Sequence, residues 1–282
     1  FLQRQITAGA FQKLDQSQLP NIGNRWGVIN ERLKKYDPEG GYAINYMWGT
    51  TGIGVNINKV KEVLGEDAPV DSLALVLDPA NMEKLATCGV HFLDAPAEII
   101  PATLAYIGED PDSQDPDVIA KTEPVLSAIA PFVQKFHSSE YINALANGDI
   151  CVAVGWSGDI LQARDRAAEA DNGVEIEYYA PKEGALMWFD NMAIPVDAPN
   201  PEAAHKFLNF IMDAQNMAAA SNYVYYANGN EASQEFLAED VIGDTAIYPD
   251  AATLDNLYTT SPYGPKVQRV VTRMWTKIKS GT

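Results

Sequence analysis

Along the chain, short apolar runs alternate with longer segments in which apolar residues recur every three or four positions. The runs predict buried strands and the periodic segments predict amphipathic helices, so the alternation predicts an α/β architecture. After a turn cluster at residues 36–41, an extended run over 42–48 continues into a Gly- and Thr-rich stretch over 49–56. A helix over 58–64 is stopped by Gly65. Asp78 and Pro79 open another as N-cap and first helical residue, reaching Leu85. A strand over 90–94 precedes a helix over 97–107, and a helix over 139–146 starts with Ser138 or Ser139 as its cap. Residues 150–156 are near-continuously apolar, as in a parallel sheet, and lead into a helix over 157–170. Strands over 174–179 and 188–195 follow. The helix over 201–212 turns Ala204, Phe207, Leu208 and Ile211 inward. The last helix, over 265–279, does the same with Val267, Val270, Met274 and Ile278.

The 282 residues are 46% apolar and 21% charged, enough for one large domain or two ordinary ones. The net charge of −18 repels phosphate backbones and anionic lipid, which argues against nucleic acid or a membrane surface as partner. It attracts cations, although acidity also serves solubility alone. No apolar run reaches the roughly 18 residues of a membrane span. The opening at Phe1, without Met and inside a helical pattern, reads as a sequence whose upstream segment is absent. Cys88 and Cys151 are either small core residues or a bridge formed in an oxidising compartment. Only His91 stands near either in sequence, and a single Cys-x-x-His pair is too few ligands for a metal clip.

Candidate chemistry is sparse. The Gly-rich stretch lacks the Lys-Ser/Thr ending of a phosphate loop and reads as a closely packed strand crossing between lobes. The acidic, Pro-punctuated run 109–117 lacks the Gly and closing Glu of a calcium loop and reads as solvated surface. Neither G-x-S-x-G nor H-E-x-x-H occurs, and His91, His137 and His205 each stand alone. Aromatic residues do lie beside carboxylates. Trp156 and Asp159 flank a strand-to-helix junction, where α/β folds bind ligands, although Asp159 also suits the helix dipole. Trp188 and Asp190, two apart on a predicted strand, share one face. An indole face beside a carboxylate suits an alkylammonium; a core Trp beside a solvated Asp is the plainer reading. Arg269, Arg273, Lys277 and Lys279 read as the exposed face of the last helix.

An ordered set of segments resembles the putrescine/spermidine-binding proteins of bacterial polyamine ABC transporters. It comprises Cys88-Gly89-Val90, Phe92-Leu93-Asp94-Ala95-Pro96, His137-Ser138-Ser139 and Ala146-Asn147-Gly148-Asp149-Ile150-Cys151-Val152-Ala153. It continues with Gly155-Trp156, Gly158-Asp159, Pro181-Lys182-Glu183-Gly184, Tyr226-Ala227-Asn228 and Trp275-Thr276-Lys277. The resemblance runs over essentially the whole chain. It implies a two-lobed, type II-like periplasmic-binding-protein fold with crossover hinge strands. The first lobe would be residues 1–46 and 176–215, incomplete at its upstream end, and the second 47–175 and 216–282. It implies a periplasmic monomer that is not an enzyme, needs no cofactor or metal, and delivers a polyamine to ABC-transporter permease subunits. The implied ligand residues are Glu98, Ser138, Trp156, Asp159, Trp188, Asp190 and Tyr226. Trp188 stands where the family has Phe or Trp. The resemblance also implies a Cys88–Cys151 disulfide. Agmatine or cadaverine as ligand, and a carboxylate-dependent hydrolase, are the alternatives.

Overall fold

A 14-residue strand, β1 (Ala43–Asn56), carries the chain from one compact unit to a second. The structure, a computed structural model, describes residues 1–281. Further strands are β2 (Val90–Phe92), β3 (Lys135–Phe136), β4 (Val152–Trp156), β5 (Ile176–Tyr179), β6 (Ala185–Ala193), β7 (Ala227–Asn228) and β8 (Leu257–Tyr258). The first unit comprises Phe1–Gly49 and Trp188–Tyr248; the second comprises Thr50–Met187 and the chain from Pro249 onward. β6 is the second crossing. These units divide the chain at other residues than the expected lobes, and the segment bearing Tyr226 falls in the first.

In the second unit β4 pairs in parallel with β2 and antiparallel with β1. The sheet is therefore mixed, where the apolar run of β4 predicts a parallel one; burial on both faces, not strand direction, makes a strand continuously apolar. β3 extends β2 in parallel, β5 pairs antiparallel with β1, and β6 pairs in parallel with β8. The Gly-rich stretch is thus strand, paired from Thr51 to Asn56. A continuous core joins Ile53, Val55, Phe92, Val152 and Val154 to flanking helices, among them Pro96–Tyr106, Thr122–Ile129 and Ser157–Ala170. Cys88 and Cys151 form a disulfide between the start of β2 and the start of β4, with Cα atoms 5.4 Å apart. The helix Pro265–Ser280 seals this core with Val267, Val271, Met274, Trp275 and Ile278. Val271 replaces the expected Val270, which is half-buried.

The first unit has a smaller core of Leu14, Leu19, Ile44, Ile194, Leu208 and Met212. Here β1 pairs antiparallel with β7, setting Met47 opposite Asn228 and Trp48 opposite Ala227. The helix Pro201–Ile211 buries His205 and Leu208, while Phe207, expected inward, is 58% exposed. The His205 ring accepts the Asp15 amide proton at 2.9 Å and sits 2.7 Å from the Pro201 carbonyl, so it replaces Phe207 as the inward-facing link.

Two local expectations also change. Neither Ser138 nor Ser139 caps the helix Tyr141–Ala146; instead His137 Nδ1 accepts from the amides of Ser139 and Glu140 at 3.2 and 3.1 Å. The acidic run is knitted into the fold rather than only solvated. Asp112 Oδ2 accepts from Ser261 Oγ at 3.0 Å, and Asp115 caps the helix Pro116–Ala120.

Candidate functional site

In the second unit, β4 ends at Trp156 and the chain turns directly into the helix Ser157–Ala170, leaving Asp159 in its first turn. Thr51 of β1 sits opposite Trp156 in the ladder. Glu98 lies in the first turn of the helix Pro96–Tyr106. The three elements meet at one carboxylate. Trp156 Nε1 donates to Glu98 Oε1 and Oε2 at 3.0 and 2.9 Å, and Thr51 Oγ1 donates to Oε2. Burial pushes the Glu98 carboxyl above the usual carboxylate range, although both donors pull the other way. The Tyr258 hydroxyl, buried and without a hydrogen-bond partner, lies within electrostatic reach of it.

Asp159 is held separately. Tyr141 Oη donates to Asp159 Oδ2 at 2.8 Å and accepts from the Trp156 amide at 3.2 Å. One phenol therefore pins the last strand residue to the first helical turn. The Tyr141 ring can reach this place only because residue 155 is glycine: a Cβ there would lie 2.6 Å from the ring. Burial and the Asp159 charge push the Tyr141 hydroxyl far above its ordinary range, so it stays a neutral donor. Ser138 is half-buried just beyond β3, in the turn that His137 organises.

In the first unit, β6 sets Trp188 and Asp190 on one face, as their spacing predicts. Tyr225, left-handed at φ 57°, ends the helix Ala214–Val224 and turns the chain so that Tyr226 leads into β7. The Trp188 and Tyr226 rings meet edge to face, 5.2 Å between centroids. The Trp188 indole N–H is buried without a hydrogen-bond partner. The Asp190 side chain reaches solvent, yet its surroundings remove enough water to push its carboxyl above the usual range. Asn45 of β1 donates to the Asp190 backbone carbonyl at 3.0 Å.

Glu98 thus joins Trp156, Tyr141 links Trp156 to Asp159, and Trp188 joins Tyr226 beside Asp190. Thr51, Tyr141, Tyr258 and Asn45 escape sequence reasoning. Each acts on residues at least 15 positions away in the chain, and none carries a local motif. Chemically, each group places acceptor oxygens beside an aromatic surface, which suits a primary ammonium on an apolar stem.

Residues 1–249 match the model of a family described as bacterial extracellular solute-binding protein. The chain belongs to that family. Solute-binding proteins similar to it include the putrescine-binding periplasmic protein PotF of Escherichia coli, 49% identical over 282 residues, spanning 100% of this chain and 76% of that protein. The putrescine-binding periplasmic protein SpuD of Pseudomonas aeruginosa is 50% identical over 281 residues, spanning 100% and 77%. Among solved structures, the spermidine/putrescine ABC transporter substrate-binding protein PotD of Streptococcus pneumoniae matches with a TM-score of 0.83 at 24% identity, covering 99% of this chain and 80% of that one. That likeness supports the two-lobed α/β binding-protein fold.

Proposed function

We propose that this solute-binding protein captures a linear polyamine, putrescine or spermidine, in the periplasm and delivers it as a monomer to the permease subunits of an ABC importer. The observation that carries the reading is Glu98: a half-buried carboxylate, raised in pKa by desolvation, whose two oxygens meet an indole N–H. An ordinary structural carboxylate so desolvated would have a cationic side chain beside it. Thr51 and Trp156, which donate hydrogen bonds to Glu98, are both neutral. A ligand ammonium would supply the missing charge.

In this reading Glu98, Asp159 and Asp190 are acceptors for ammonium hydrogen bonds. Trp156, Trp188 and Tyr226 provide ring surface for methylenes and cationic ends, and Ser138 a neutral acceptor. The names of PotF and SpuD, which bind putrescine, support the same ligand class. Titration calorimetry with putrescine, spermidine, agmatine and a neutral disaccharide tests it. Saturable binding of a polyamine, with no heat from the sugar and no turnover, is expected. Binding of the sugar alone, or sustained product formation, would overturn the proposal.

A further inference from the structure

We infer that Asn45 is a positioning residue for ligand capture, fixing at once the strand that carries Asp190 and the strand that follows Tyr226. The inference rests on the proposed role of Asp190. Asn45 is 6% exposed, inside the first unit. Its amide nitrogen donates to two carbonyls, that of Met47 in β1 and that of Asp190 in β6, each at 3.0 Å. Two carbonyls demand a donor, so chemistry fixes which end of the amide faces them. The other end, Oδ1, is then buried with no hydrogen-bond partner.

That orphan acceptor is unfavourable, because a buried polar atom without a partner keeps its full desolvation cost. An apolar residue would avoid it. What an apolar residue cannot do is hold the Asp190 carbonyl. Anchoring that carbonyl restricts the peptide that directs the Asp190 Cα–Cβ bond, and so the reach of its carboxylate.

The same side chain abuts the second strand. A Cβ built on Gly229 would lie 2.4 Å from Asn45 Oδ1 and 2.8 Å from Asn45 Cβ. Only glycine lets the backbone after β7 approach so closely. Gly229 is held there from both sides, its N–H to the Tyr46 carbonyl at 3.4 Å and its carbonyl to the Trp26 N–H at 2.7 Å. Three residues upstream stands Tyr226, in ring contact with Trp188. Asn45 is therefore wedged between the backbone of the Asp190 strand and that of the Tyr226 strand.

The test is a double-mutant cycle read by putrescine calorimetry, with thermal melting of every variant. Asn45→Ala should weaken binding about tenfold in the wild-type background and by less than about twofold in Asp190→Asn, since coupled residues lose only once. Gly229→Ala, which crowds the same amide from the other side, should behave like Asn45→Ala and serves in its place should Asn45→Ala not fold. Equal losses in both backgrounds, or a lowered melting temperature with affinity intact, would overturn the role of Asn45 alone. A wild-type protein that binds putrescine, together with an Asp190→Asn variant that binds it equally well, would instead overturn the site reading beneath it.

Discussion

Asp190 and Glu98 carry the same charge in different settings, and the difference sets what each should do. Asp190 reaches solvent before ligand arrives, so removing its charge forfeits a partly screened ion pair rather than a fully buried one. Asp190→Asn should weaken putrescine binding about 30- to 100-fold, or about 2–3 kcal/mol, measured by calorimetry at fixed ionic strength. Glu98 is half-buried, and desolvation raises its pKa above that of the unfolded chain. The sign follows directly. The folded, unliganded protein holds the Glu98 proton more tightly than the unfolded one. The cost of ionising Glu98 is therefore present at neutral pH and relieved as pH falls through the folded pKa. An ammonium placed beside Glu98 reverses the shift, so putrescine binding should release protons where the raised Glu98 carboxyl is still partly protonated, and fewer as pH rises through its folded pKa. Calorimetry in two buffers of different ionisation enthalpy counts those protons; constant stoichiometry across that range would count against a ligand-facing Glu98.

At the scale of elements, two devices tie the second unit together. The disulfide joins residues 63 apart, linking the approach to β2 with the approach to β4, the strand that ends in Trp156. Reduction should destabilise the protein by about 3–4 kcal/mol, mainly through the freed unfolded chain. Urea unfolding with and without reductant measures this, and equal midpoints would deny the bridge a stabilising role. The C-terminal helix is the second device. Its basic residues form an exposed face, as the sequence predicts, and on it Lys277 meets Glu123 at 2.5 Å and Lys279 meets Asp94 at 2.6 Å. Trp275 Nε1 donates to the other oxygen of Asp94 at 2.8 Å, so Asp94 anchors the helix by two kinds of bond. These contacts hold the helix against the core, although the exposed pairs themselves add little stability.

For the whole molecule, a net charge of −18 creates a field that a doubly positive ligand feels before contact. Association with putrescine, followed by stopped-flow tryptophan fluorescence, should slow about tenfold between low and physiological salt, while dissociation changes little. A salt-independent association rate would confine electrostatics to the site. The sequence by itself determined the alternation of strand and helix, the shared face of Trp188 and Asp190, and the placement of Trp156 and Asp159 at a strand-to-helix junction. Each is a property of neighbours, set by periodicities of two and 3.6 residues. The tertiary structure alone decided the mixed direction of β4, the burial of His205 in place of Phe207, and the convergence of Thr51, Glu98 and Trp156. It alone wedged Asn45 against Asp190 and Gly229. Those outcomes depend on which distant backbone supplies a hydrogen bond or fills a space, and no local spacing encodes that choice.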